Sequence, residues 1–138
     1  MQTVTNDDGH RLLLVKRSSE SSLVRDPDTG EESYRPNESL SAVDDPPLAA
    51  AADGLAGPVR RAVLACPDDR ALGLLVELVD RGPTAAETLT ATYDLCESDL
   101  HGLLAEFRAA GLVRETTVAG RPGYAPTDDA DTAVERLR

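Results

Sequence analysis

The side chains that most often perform chemistry are scarce in this sequence. Its only cysteines are Cys66 and Cys96, its only histidines are His10 and His101, and they do not have the spacing of a four-ligand zinc site. It contains no Gly-rich phosphate loop, GxSxG segment or HExxH segment. Because catalysis needs a nucleophile or an acid–base pair brought together, the sequence predicts no enzyme, no cofactor and no structural metal.

Two arginines are adjacent at one place only, Arg60-Arg61, in a short apolar segment after Pro58. Guanidinium groups match phosphate geometry, so the pair is a candidate phosphate contact, and the alternative is a solvated helix face. The chain as a whole is acidic, with 14 Lys and Arg against 25 Asp and Glu and a net charge of -11. In dilute buffer this charge repels nucleic acid and anionic membranes alike.

Arginine strongly outnumbers lysine in this sequence, since Lys16 is the only lysine among 14 Lys and Arg residues. This usage, with abundant Asp, Ala and Val, resembles that of proteins from extremely halophilic archaea. The resemblance implies a cytosol of concentrated salt, where the Debye length is only ~3 Å at 1 M and acidity serves solubility. The N-terminus is polar and no apolar run approaches the ~18 residues of a membrane span, so we expect a cytoplasmic protein.

Residues 3–40 have the pattern of a small antiparallel meander of three strands. Apolar runs at residues 12–15 and 22–25 precede a turn at residues 26–30 (DPDTG) and a returning segment at 31–35. Such a sheet buries too little surface to stand alone. We therefore expect contacts with the C-terminal domain or with a second copy of the chain through Leu12, Leu14, Leu23 and Tyr34.

The composition changes abruptly at residues 41–57 (SAVDDPPLAAAADGLAG). Pro46-Pro47 cannot continue a helix and the alanines offer little area to bury, so this stretch is interpreted as a linker, with a turn of helix left open over 48–52. The predicted organisation is a meander over 1–40, a linker over 41–57 and a second domain over 58–138.

The last 81 residues alternate helical periodicity with one hairpin pattern. A short helix is predicted over 58–65, and a second runs from Asp68 or Asp69 to about Asp80. Its expected apolar stripe is Leu72, Leu75, Val76 and Val79.

Two further helices follow around the turn at residues 93–96. Thr84 and Glu87 fit a capping box that opens a helix through about Tyr93. The next helix is predicted over 97–110, with Leu100, Leu103, Leu104 and Phe107 buried. A strand over 113–118, a turn over 119–123, a return strand and a final helix after Thr127 complete the pattern.

This order of elements resembles the winged helix-turn-helix proteins of broad archaeal and bacterial regulator type. The residues that carry the resemblance are Thr84-Ala-Ala-Glu87, the run from Leu95 to Leu112 ending in AAGLV, and the GYxxTD pattern at 123–128. More narrowly, the LVRDPDTGE hairpin joined to this domain resembles an uncharacterised family of small haloarchaeal winged-helix proteins over nearly the whole chain. The fold class implied is α+β, a β-meander followed by a winged helix.

The winged-helix resemblance implies a DNA-binding transcriptional regulator whose third helix reads base edges in the major groove. Its outward positions are Glu97, Ser98, His101, Gly102 and Ala105, of which Ser98 and His101 can donate to bases. The cations placed for DNA by the resemblance are Arg108, Arg114 and the hairpin-turn Arg121, in addition to Arg60 and Arg61.

The same helix also supports an alternative function. It carries Glu97, Asp99 and Glu106 where a DNA-binding helix normally carries basic residues, which fits a protein–protein interaction module that binds no DNA. The positive end of the helix dipole also favours acidic residues in a first turn. Under either function a homodimer is plausible, because apolar residues of the first and last helices need cover.

Overall fold

The computed structural model describes all residues from 1 to 138, which form two compact units, Met1–Ala56 and Gly57–Arg138. The protein is an α+β protein with a five-stranded and a three-stranded antiparallel sheet and six α-helices. No helix combines the length and the apolar character needed to cross a membrane.

The first unit contains a sheet of five strands instead of the three predicted. The expected strands are confirmed as β2 (Arg11–Lys16), β3 (Ser21–Arg25) and β4 (Glu32–Pro36). The sequence reasoning missed β1 (Gln2–Thr5) and β5 (Ser41–Ala42), which extend the sheet in the order β4-β3-β2-β1-β5. A 3-10 turn at Asn37–Ser39 precedes β5.

The two missed strands explain how the small sheet forms its own core. Val4 on β1 pairs with Leu12 and with Ala42, and it is buried with Leu12, Leu14 and Val24. The expected contact residue Tyr34 is instead 62% exposed, because β4 is an edge strand whose residues all face solvent.

The region interpreted as a linker is ordered within the first unit. Besides β5, it contains helix α1 (Pro47–Asp53), which begins directly after Pro46 because proline is tolerated at the first helical positions. The guanidinium of Arg11 lies 3.0 Å from Asp53 and 3.4 Å from Asp45. The linker prediction was therefore wrong for residues 41 and 42, and the helical turn that it allowed over 48–52 lies within the longer helix α1. Such short segments gain their stability from tertiary contacts.

The second unit begins with two helices. Helix α2 (Gly57–Ala65) matches the prediction, and α3 (Asp69–Arg81) is capped by the Asp68 carboxylate, which accepts a hydrogen bond from the Ala71 amide at 2.9 Å. The predicted stripe of α3 is rotated, since Ala71, Leu74, Leu75 and Leu78 are buried while Leu72 is 38% exposed. Both sets have three- and four-residue spacing, so periodicity alone could not separate them.

The helical pair that follows is α4 (Ala86–Tyr93) and α5 (Glu97–Ala109). The capping box was wrong: Thr84 lies in the short strand β6 (Thr84–Ala85), and its hydroxyl donates to the Gly82 carbonyl instead of capping α4. Between the two helices the chain turns at Asp94, which has a left-handed φ of 52°. Leu89, Leu100, Leu104 and Phe107 are buried, whereas the predicted Leu103 is only partly buried.

Strands β7 (Val113–Val118) and β8 (Arg121–Pro126) form a hairpin, and β6 adds to β8. The turn of the β7–β8 hairpin is shorter than the predicted turn over 119–123. Ala119 and Gly120 both have positive φ, and these two residues suffice to reverse the chain. Helix α6 (Asp128–Leu137) follows, capped by the Thr127 hydroxyl, and contributes Ala130, Ala133 and Val134 to the core of this unit.

Candidate nucleic-acid interface

The outward face of α5 is open and polar. Ser98, His101, Gly102 and Ala105 are all exposed, as is Glu97, whose carboxylate lies 3.5 Å from the Nε2 atom of His101. A Cβ atom added at Gly102 would meet nothing within 4 Å. This face therefore offers a hydroxyl and an imidazole on a surface without bulky side chains.

The start of α5 is fixed by backbone geometry and not by a side-chain cap. The Leu95 amide donates to the Thr90 carbonyl at 3.2 Å, and the Leu100 amide donates to the Cys96 carbonyl at 3.0 Å. The Cys96 thiol lies 3.4 Å from the Ser98 hydroxyl. The amide groups of the first turn of α5 consequently receive no side-chain acceptor, which leaves the positive end of the helix dipole open.

A cleft of about 280 Å³ lies between α4 and α5. Glu87 and Thr90 line it from α4, and Glu97 and His101 line it from α5. Glu87 also forms an ion pair with Arg121 at the start of β8. Glu87 thus lines the same cleft as His101 and also forms the ion pair with Arg121.

A second, larger groove of about 590 Å³ lies beside the hairpin turn. Two guanidinium groups line it, those of Arg81 at the end of α3 and Arg121, together with Thr88 in the first turn of α4. Helix α4 has no side-chain cap at its N-terminus, which lies in this groove. Two cations and an uncapped helix N-terminus give the groove the chemistry of an anion site.

The sequence reasoning missed Arg81. Its guanidinium donates a hydrogen bond to the Tyr93 hydroxyl at 3.0 Å, and its Cζ atom lies 5.8 Å from the centre of the Tyr93 ring. The Tyr93 hydroxyl in turn donates to Glu77 at 2.8 Å. The hydrogen bond to Tyr93 raises the pKa of Arg81 above its ordinary value, and the aromatic contact fixes the direction of the side chain.

The other predicted cations do not join this groove. Arg108 lies 2.9 Å from Glu115, and Arg61 forms an ion pair with Asp129 of α6. Arg60 is partly buried on α2. Arg114 is exposed on β7 and forms no ion pair within 4 Å, which makes it available to a ligand although it does not line the groove.

The acidic residues of the alternative function are exposed as well. Asp99 lies 3.4 Å from Arg70 of α3, while Glu106 forms no ion pair. In the second unit no three His, Cys, Asp or Glu side chains converge on a metal position.

The chain is therefore a small α+β protein. Its C-terminal unit carries a candidate ligand-binding surface, formed by the open polar face of α5 and the groove beside the β7–β8 hairpin. The chain belongs to the family of unknown function DUF7346, whose model matches residues 1–138. No curated protein and no solved structure matches it significantly.

Proposed function

We propose that the chain is a transcriptional regulator that binds double-stranded DNA through a winged helix-turn-helix in its C-terminal unit. Helix α4, the turn at Asp94 and helix α5 form the helix-turn-helix, with α5 as the recognition helix. The β7–β8 hairpin is the wing. The proposal rests on this order of elements together with the open polar face of α5.

The observation that carries the proposal is the groove lined by Arg81, Arg121 and Thr88 at the N-terminus of α4. Phosphate is the ligand that two guanidinium groups and free helix amides recognise best. Phosphate contacts fix the position of a DNA-binding protein without reading sequence. A backbone phosphate in this groove would lie beside Arg121, whose ion-pair partner Glu87 also lines the cleft next to the α5 face.

Base reading falls to Ser98 and His101 in this proposal. A hydroxyl and an imidazole can each donate to acceptors on base edges in the major groove, and Gly102 allows the duplex to approach the helix closely. Glu97 can accept from a cytosine amino group. The face holds no guanidinium for bidentate contact with guanine, so we expect modest sequence discrimination.

The acidity of the chain is reconciled with DNA binding by concentrated salt. Charge repulsion at a net charge of -11 is largely screened where the Debye length is only ~3 Å. The same salt weakens phosphate contacts, since log K falls by about 0.9 per contact per decade of salt. We therefore propose a haloarchaeal cytosol as the working environment, with shape and base contacts supplying much of the affinity.

The test is enrichment of sheared genomic DNA by the full chain in multimolar KCl. The double variant Arg81→Gln/Arg121→Gln should lose most of the captured DNA, while the control Arg136→Gln removes an exposed arginine of α6 that forms no ion pair. His101→Ala should change which fragments are captured more than how much DNA is captured. Equal capture by all variants and by beads without protein would end the proposal.

The second candidate function is a protein-interaction module. It is favoured by the ion pairs that occupy Arg108 and Arg121 within the chain, and by the exposed carboxylates of Glu97 and Glu106. A basic protein surface would complement that face. Stoichiometric capture of one protein partner, lost in Glu97→Lys/Glu106→Lys while no DNA is enriched, would favour this function.

A homodimer is proposed for either function, with the second copy on an apolar groove of α2, α3 and α6. This groove has a volume of about 390 Å³ and is lined by Val63, Cys66, Leu72, Val76, Val134, Leu137 and Arg138. Val63 and Leu137 are 53% and 48% exposed. Apolar association is not weakened by concentrated salt, unlike an interface of ion pairs. Sedimentation in 3 M KCl should give a dimer that Leu137→Glu dissociates and Glu135→Gln does not.

A further inference from the structure

Three metal-ligating side chains converge in the N-terminal unit, whereas the proposed DNA interface belongs to the C-terminal unit. His10 precedes β2, while Asp26 and Asp28 belong to the turn between β3 and β4. The Nε2 atom of His10 lies 3.2 Å from an Asp26 oxygen and 3.9 Å from an Asp28 oxygen. The donor atoms of all three residues lie within 4.8 Å of one another.

The backbone holds both segments in place. The Asn6 side chain accepts a hydrogen bond from the His10 amide at 3.0 Å, and the Asp26 carboxylate accepts one from the Asp28 amide at 2.9 Å. The Gly30 amide closes the turn on the Asp26 carbonyl at 2.7 Å. These hydrogen bonds order the two segments that carry the three side chains, which lowers the entropy lost when a ligand binds.

We propose that His10, Asp26 and Asp28 form a three-ligand site for a divalent zinc-type cation. Zinc bonds of about 2.0–2.2 Å to nitrogen and oxygen place tetrahedral ligands about 3.4 Å apart. The two separations from the imidazole, 3.2 and 3.9 Å, bracket that value, and the two carboxylates lie within 4.8 Å of each other. The Asp28 side chain is 57% exposed, so it has room to move toward the other two ligands and complete the set.

The imidazole separates this arrangement from an ordinary acidic patch. Carboxylates alone suit magnesium or calcium, whereas a neutral imidazole nitrogen beside two carboxylates suits zinc and its first-row neighbours. The Nε2 atom of His10 cannot bond Asp26 and a cation at once, so binding of the cation replaces the 3.2 Å contact with Asp26.

The surroundings leave room for the remaining coordination positions. A groove of about 160 Å³ is lined by His10 and Asp28 together with Arg11, Pro27 and Asp53. A water takes up about 30 Å³, so this space accepts the water or the exogenous ligand that an open three-residue site needs. The sequence analysis considered only sets of four closely spaced ligands. In this site His10 precedes Asp26 by 16 positions and Asp28 by 18 positions.

The test is calorimetric titration of the metal-stripped full chain with zinc chloride, with melting temperature as an independent readout. One cation should bind per chain and raise the melting temperature, since it binds the folded state. Asp28→Asn, which keeps the shape of the side chain, should weaken binding at least tenfold. His10→Ala should do the same, and the control His101→Ala, which removes the other histidine, should bind zinc as the parent does.

The competing outcomes are distinct. Absence of saturable one-to-one binding overturns the site, and so does binding that Asp28→Asn and His10→Ala leave unchanged. Binding that needs Asp28 but not His10, and that calcium reproduces equally well, shows an acidic cation site and overturns the zinc-type assignment. Circular dichroism of each variant shows that the sheet is folded before the titration is interpreted.

Discussion

Glu87 on α4 and Arg121 at the start of β8 form an ion pair that connects the helical pair to the hairpin. Their side chains are 72% and 64% exposed, so water competes with the contact. Exposed pairs of this kind contribute about 0.2–1 kcal/mol. Because the contact is weak, Arg121 can exchange Glu87 for a DNA phosphate at a small cost in free energy. In our proposal Glu87 therefore occupies the position of a backbone phosphate when no DNA is bound.

Glu87→Gln should strengthen DNA binding. The variant removes the competitor for Arg121, and the energy of the pair corresponds to a gain of up to about fivefold in affinity. Fluorescence anisotropy with a duplex from the enriched fragments measures the change at fixed KCl. Glu135→Gln removes the same charge from α6, where it forms no ion pair, and an equal gain there would mean that only net charge matters.

Two glycines should respond oppositely to the same substitution. A Cβ atom at Gly123 would lie 2.6 Å from the Thr84 carbonyl oxygen, where β8 meets β6. Gly123→Ala should therefore lower the free energy of unfolding by about 1–3 kcal/mol. Gly73 lies on the exposed side of α3 with nothing within 4 Å, so Gly73→Ala should raise it by about 0.5–1 kcal/mol. Urea denaturation of both variants checks the sign, and destabilisation by both would contradict the helix propensity argument.

The sequence predicted the bounds of the helices better than it predicted their buried faces, because helix formation depends on local spacing. Predictions for α3 and α5 were right within a residue or two at each end. The buried face of α3 was wrong because Leu72 and Leu75 have the same spacing as Ala71 and Leu74. Strand β1 was missed because its four residues carry one aliphatic side chain, Val4, whose burial depends on pairing with distant residues.

The candidate interface was predictable only in part, because some of its residues come together from distant parts of the sequence. Ser98 and His101 follow from the position of α5, which periodicity gives. Arg81 lies just after the predicted end of its helix near Asp80, and its role depends on the contact with Tyr93 and on the hairpin turn beside it. Such proximity between distant segments leaves no local pattern in a sequence.

The core of the C-terminal unit should depend strongly on α5. Leu104 is 1% exposed and packs with residues of the main cluster, including Phe107 and Leu75. Leu104→Ala should cost about 2–5 kcal/mol, since it removes buried methyl groups and leaves a cavity. The exposed neighbour Ala105→Ser is the control, with an expected change within about 0.5 kcal/mol. A small effect at Leu104, measured by urea denaturation, would place α5 outside the cooperative core.

The two cysteines should differ in reactivity toward an alkylating agent. Cys96 is exposed, whereas Cys66 is partly buried in the apolar groove of α2, α3 and α6. Burial raises the pKa of the Cys66 thiol, and the Asp68 carboxylate adds to the shift. Only the thiolate reacts, so at pH 8 Cys66 should be modified more slowly than Cys96, and its rate should keep rising at higher pH.

The comparison needs the single variants Cys66→Ala and Cys96→Ala, so that each rate belongs to one thiol. Unfolding in urea should bring the two rates closer, because it removes the burial, which is the larger cause of the raised Cys66 pKa. Dimer formation through the apolar groove would slow Cys66 further as protein concentration rises, and Leu137→Glu should remove that dependence. A Cys66 rate equal to that of Cys96 in the folded protein would contradict both the burial of this thiol and its raised pKa.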